Sequence, residues 1–241
     1  MINVLHLYYD LLNLYGENAN SRCIKYNLEN NKIKVNVDLK SLHDKVDFSK
    51  YDIVYIGMGS EDNLLLALKD IHKYKDDLKK YIEDDKYLIL TGNSMDLFGK
   101  YIEVDDKKIN ALGIFNYYSK FIKEISFKNA STDRIVGEVN GTCKLINEKI
   151  IGFQNRCDLV FNVKTPLFKL NENFSNDMNS KNEGFTYKNV YATHIIGPLL
   201  IRNPYLTDYI LKGLCESKKL KYEISDETSI NAYKKYLENF N

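Results

Sequence analysis

Apolar and polar positions along the 241 residues keep two rhythms. Short apolar runs predict strands at Ile2–Tyr8, Tyr51–Ile56, Tyr87–Leu90 and Asn189–Thr193. Lys32–Leu39 alternates lysine or asparagine with Ile33, Val35 and Val37, the period of a half-exposed strand. Between these runs the period lengthens. Asp10–Asn30 reads mostly as a helix with a polar outer face, and Leu64, Leu65, Leu68, Ile71 and Tyr74 fall at helical spacing among lysines and aspartates. Thr91-Gly92-Asn93-Ser94 turns the fourth strand into another helix. Alternating strands and helices predict an α/β protein with a mostly parallel sheet covered on both faces.

The second half changes character. Short strands at Ile114–Tyr118, Ile135–Val139 and Leu159–Val163 suggest an antiparallel extension of the sheet or a β-rich flank. Asn171–Glu183 is dense in Asn, Ser, Asp and Lys and reads as a mobile surface loop. A Gly-Pro turn then leads into a helix through Leu206–Leu214. In the tail, Asp226–Phe240, residues Ile230, Tyr233, Tyr236 and Leu237 share one face, which predicts a terminal helix docked on the same domain. No internal repeat or linker divides the chain, so residues 1–241 are expected to form a single domain.

Composition narrows the function classes. Thirty-four basic residues nearly balance 33 acidic ones, and only four of the basic residues are arginines, which gives no electrostatic ground for a nucleic-acid partner. No apolar run approaches the ~20 residues of a membrane span, and MINVLHLYYDLL lacks the layout of a signal peptide, so a cytoplasmic protein is expected. Cys23, Cys143, Cys157 and Cys215 are scattered and form no CxxC pair, and His6, His43 and His72 show no ligand spacing. No metal and no cofactor is expected.

The chemistry lies in the loops at the carboxyl ends of the strands, where open parallel sheets bind ligands. Gly57-Met58-Gly59-Ser60 and Gly92-Asn93-Ser94-Met95-Asp96 stand out there, together with Tyr191-Ala192-Thr193-His194-Ile195-Ile196-Gly197-Pro198-Leu199-Leu200-Ile201-Arg202-Asn203-Pro204. These segments, with LYYDLLNLYGENAN near the start and GFQNR further on, resemble the CobB/CobQ-like class I glutamine amidotransferases over nearly the whole chain. Within that family the likeness is to the GatD type, the glutaminase subunit of lipid II isoglutaminyl synthase. The resemblance implies a three-layer, flavodoxin-like amidotransferase fold. It also implies a role in cell-wall amidation and a heterodimer with a MurT-like Mur ligase.

In such enzymes a cysteine on a strand-to-helix elbow attacks the glutamine amide, a histidine acts as base and acid, and backbone amides hold the oxyanion. Laid on the family's elbow pattern without a gap, LTGNSMDLFGKY places Gly92 at the cysteine and Asp96 at the glutamine. The corresponding match over Thr193–Leu200 places Ile196 at the histidine, and Arg156 replaces the histidine of the family's G-F-E-N-H. Met58 stands where the family has a small residue in its glycine loop. The resemblance therefore implies a degenerate member in which hydrolysis is lost or impaired and which serves as a partner or regulatory subunit.

Two alternatives stay open at this point. Relocated groups could rebuild an enzyme. Ser94 sits in a near G-x-S-x-G context, His194 lies two residues from the base position, and Cys157 follows Arg156, whose charge would favour a thiolate. Each also has a plain structural reading, respectively a helix cap, a hydrogen-bonding histidine and an inert buried thiol. Alternatively, Gly57, Met58, Gly59, Gly92, Asn93 and Ser94 could form a vestigial pocket at a helix N-terminus that senses a glutamine-like ligand.

Overall fold

The computed structural model describes residues 1–122, 125–127, 130–132, 134–171, 174–224 and 227–240, with 125–127 and 130–132 described as backbone. In chain order these form β1 (Ile2–Leu7), α1 (Asn18–Asn30), β2 (Val35–Lys40), β3 (Ile53–Ile56), α2 (Glu61–Ile71), α3 (Lys75–Glu83) and β4 (Tyr87–Thr91). Next come β5 (Tyr101–Val104), β6 (Lys107–Asn110), β7 (Tyr118–Phe121), β8 (Ile125–Phe127), β9 (Ala130–Thr132), β10 (Ile135–Cys143), β11 (Lys149–Arg156) and β12 (Asp158–Phe161). The last third holds β13 (Phe168–Leu170), β14 (Asn182–Glu183), β15 (Phe185–Tyr187), β16 (Val190–Thr193), α4 (Leu199–Arg202), α5 (Pro204–Ser217) and α6 (Glu227–Leu237).

The central sheet has the order β15-β16-β4-β3-β1-β2. Its five strands from β16 to β2 run parallel, and β15 closes one edge antiparallel. The period of two sorts its side chains into two cores. Leu5, Leu7, Val54, Ile56, Leu88 and Leu90 face α2 and α3, where Leu64, Leu68, Leu78 and Ile82 meet them. Ile2, Val4, Ile53, Tyr55 and Ile89 face the other way, onto Ile24 and Leu28 of α1 and Leu206 and Ile210 of α5. Burying both faces is what makes these strands unbroken apolar runs. Two small sheets extend the layers: β12-β7-β5-β6 joins the first core through Ile102 and Val160, and β11-β10-β13-β14 joins the second through Val139, Ile150 and Phe168.

Four expectations need correction. Within Asp10–Asn30 the α-helix begins only at Asn18; before it stands a 3-10 turn at Leu14–Gly16, where Tyr15 takes a φ of 58° and Leu14 N–H bonds to Met58 O, tying the segment to the next strand's loop. Ile114–Tyr118 is not a strand; Phe115 packs 4.5 Å from Phe185 between ring centroids and strand β7 begins only at Tyr118. The helix after β4 is a seven-residue 3-10 helix, Gly92–Phe98. Asn171–Glu183 is no loose surface loop: Ser175, Asn176 and Glu183 are buried and Asn182–Glu183 pairs with β13, while residues 172 and 173 lie outside the described set.

The tail conforms. Tyr233 of α6 is buried, donates to Lys149 O at 2.7 Å and packs edge-on against Tyr205. Residue 226, where the helix was expected to begin, lies outside the described residues. Among the described residues no helix is long and apolar enough to cross a membrane.

Candidate functional site

The parallel strands β1, β3, β4 and β16 deliver their following loops to one end of the sheet. There the glycine loop after β3 meets the elbow after β4. Asn93 joins them with both ends of its amide, accepting from Gly59 N–H at 3.2 Å and donating to Gly59 O at 2.8 Å. Gly92 sits on the elbow at φ +62°, the left-handed backbone characteristic of a strand-to-helix nucleophile turn.

The space above Gly92 is filled. A methyl group added there would lie 2.5 Å from Met58 Cγ, 2.8 Å from its Sδ and closer still to its Cβ. Met58 is 1% exposed, and every residue from Thr91 to Gly99 is buried. Ile196, at the position of the base, is 0% exposed and exchanges both backbone hydrogen bonds with Phe153. An aliphatic side chain there has no proton to move.

Gly57, Met58, Gly59, Gly92, Asn93 and Ser94 are thus brought together as predicted, but as packed interior and not as a pocket. Ser94 neither caps the helix nor meets an imidazole. Its hydroxyl lies 3.0 Å from Ile56 O and 2.9 Å from Thr91 O, so its proton is committed to backbone carbonyls. Cys157 is not activated by Arg156, whose guanidinium turns inward to Gln154, Asp158 O and Ser175 O. The thiol instead donates to Glu61 Oε1 at 3.1 Å, and burial, with Asp158 and Glu61 beside it, raises it far above the usual thiol range. Arg134 opposes that shift and bonds Glu61 at 2.8 Å, without outweighing it.

His194 is enclosed in a buried charged cluster. Its Nε2 lies 2.8 Å from Asp158 Oδ2 and 3.9 Å from Asp96 Oδ1, and its Nδ1 lies 3.5 Å from Glu183 Oε1. Burial works against a charged imidazole, yet Asp158 and Glu183 together outweigh it and lift His194 to about 9. Burial likewise opposes ionisation of Asp158, but the His194 charge holds that carboxyl below its ordinary value, while burial and Asp158 push Asp96 up. His194 and Ile196 lie beyond the end of β16.

One group lying at the site drew no assignment from the sequence. Glu17 is fully buried beneath the elbow, where Oε2 accepts from Tyr55 Oη at 2.9 Å, from Asn20 Nδ2 at 3.3 Å and from Thr91 Oγ1. Burial raises its carboxyl to about 7 against the pull of these donors. The acidic residue of LYGENAN was the available signal. Chemically the site can hold a proton at Glu17.

The model of the CobB/CobQ-like glutamine amidotransferase domain matches residues 3–204. Subunit GatD of the glutamine-hydrolysing lipid II isoglutaminyl synthase of Staphylococcus aureus (strain N315) is 31% identical over 235 residues, 96% of this chain and 93% of that protein. The corresponding GatD of Streptococcus pneumoniae (strain ATCC BAA-255 / R6) is 30% identical over 226 residues, 92% of this chain and 84% of that one. Among solved structures, a glutamine amidotransferase from Thermotoga maritima covers 97% of this chain and 92% of its own, with a TM-score of 0.49 and 13% identity. A family match across most of the chain, joined by relatives at 30–31% identity over nearly all of it, makes this protein a member of the CobB/CobQ-like glutamine amidotransferase family, of the GatD kind.

Proposed function

We propose that the protein is a non-hydrolysing GatD-type subunit, cytoplasmic, which partners a MurT-like Mur ligase in amidating lipid II. The observation that carries the reading is the Met58 side chain packed into the space a side chain on Gly92 would need. Loss of a cysteine alone could leave an open pocket with residual binding. Here the pocket is closed, the base position is an aliphatic core residue, and the buried elbow leaves glutamine no route in. The scaffold around it is kept, as expected if selection acts on shape and contact with a partner. The relatives' names, each a subunit of a synthase, support that partner.

Co-expression tests this reading. The protein should co-purify with a MurT-like ligase from the same genome, and the complex should amidate its acceptor with free ammonium but not with glutamine. A ligase of full activity and stability without this chain, or amidation that runs on glutamine, contradicts it. The serine-hydrolase and sensor readings find no support in the geometry: Ser94 has no base, and the predicted ligand pocket is filled.

A further inference from the structure

The buried cluster around His194 has a feature that a simple hydrogen-bond network does not explain. Asp96 Oδ2, Asp158 Oδ2 and both ring nitrogens of His194 lack a hydrogen-bond partner although all are sealed from solvent. Nε2 and Asp158 Oδ2 are 2.8 Å apart without forming a well-aligned hydrogen bond. A buried polar atom without a partner costs ~1–3 kcal/mol, more when charged. Four in one place call for something between them.

One donor from each of Asp96, Asp158 and His194 lies within 4.8 Å of the other two. Three atoms so spaced share a point within ~2.8 Å of each, close enough for small side-chain shifts to reach the ~2.0–2.2 Å of zinc–nitrogen and zinc–oxygen bonds. We propose that Asp96, Asp158 and His194 form a structural binding site for a single divalent transition-metal ion, with zinc the best fit.

Charge agrees with the geometry. An imidazole that ligates a metal is neutral, and with His194 in that state the ionised carboxylates of Asp96, Asp158 and Glu183 outnumber the one guanidinium of Arg156 by two. A divalent cation removes that excess. The imidazole is also held as a metal-ligating ring usually is, with its second nitrogen turned to a carboxylate. Glu183 is itself fixed, accepting from His194 N–H at 2.7 Å and from Thr193 Oγ1 at 2.6 Å. One imidazole, two carboxylates and no sulfur suit zinc and its first-row neighbours; a tight, dry set of three donors disfavours calcium and magnesium, which need six or more ligands, commonly waters among them. The ligands come from the elbow helix, from β12 and from the segment after β16, so the ion would pin the elbow to two neighbouring sheets. The site does not depend on whether glutamine is hydrolysed.

The test is metal content of the full chain purified without chelator, loaded with zinc chloride and dialysed. One zinc per chain is expected, with a thermal midpoint that falls when zinc is stripped, and the Asp96→Asn variant should lose the ion. Cobalt loading covers the case in which that variant does not fold: the wild-type chain should show the visible bands of nitrogen and oxygen ligands without a thiolate charge-transfer band. Failure to retain zinc or cobalt, zinc retained equally by the variant, or a thiolate band reporting on the cysteines would each overturn the proposal.

Discussion

Glu17 is the residue whose chemistry reaches furthest beyond its own contacts. Its carboxyl titrates near 7 in the folded chain and near 4.5 when unfolded, because burial penalises the charge more than Tyr55, Thr91 and Asn20 relieve it. The folded state therefore binds this proton more tightly. Stability contributed by the protonated form is complete below pH 4.5 and is lost as pH rises towards 7. A shift of this size corresponds to roughly 3 kcal/mol. Denaturant unfolding between pH 4.5 and 7.5 should show the Glu17→Gln variant gaining on the wild type across that window, and parallel curves would contradict the assignment. Ser94 and Cys157 teach the opposite lesson. Sequence context made each a potential nucleophile, whereas long-range neighbours decide their reactivity: Ile56 O, 38 positions away, and Glu61, 96 positions away.

At the scale of elements, the elbow and the glycine loop behave as one unit. Gly92 tolerates φ +62° without cost, and Met58 takes the volume that its missing side chain leaves. Restoring a cysteine at position 92 meets both obstacles. The left-handed backbone costs ~1–2 kcal/mol for a residue with a Cβ, and overpacking against Met58 adds ~1–3 kcal/mol. Urea unfolding of Gly92→Cys should show a loss of that combined size. Met58→Gly alone opens a cavity and is destabilising too, so a double-mutant cycle should reveal strong coupling, with the double variant less destabilised than the sum. Additive effects would mean that the two residues do not share one space.

The same elements show where sequence reading succeeds. Fully buried strands announce themselves as apolar runs, and α5 and α6 as amphipathic stretches, because each is set by its own local period. The tail helix was legible down to its docked face, Tyr233 at the centre. Segments whose conformation is fixed by distant partners were not. Asp10–Gly16, read as the start of a helix, holds only a 3-10 turn and is tied down by the Leu14–Met58 backbone bond, and most of Ile114–Tyr118, read as a strand, is consumed by packing among Phe98, Phe115, Tyr117 and Phe185.

For the whole molecule, the alternation of strands and helices disclosed the layered sheet, and the motifs disclosed the family. What stayed hidden was how the loops at the ends of the strands pack together. Motif alignment marks Gly92, Met58 and Ile196 as separate departures from the family pattern. Only the fold shows that Met58 and Gly92 are complementary and that Ile196 has joined the core. The charged cluster was hidden for a related reason. Asp96, Asp158 and His194 are about 60 and 40 positions apart in the chain, beyond any local ligand spacing, and three different elements bring them together.

A protein whose elbow is filled should not merely hydrolyse glutamine slowly; it should have no acyl-enzyme chemistry at all. The most direct measurement is release of labelled ammonia from glutamine carrying nitrogen-15 in its amide, with the chain alone and in the presence of a MurT-like ligase. The account predicts no release above a protein-free blank in either case. Labelled ammonia at a rate proportional to protein concentration, persisting through a second purification, would contradict it.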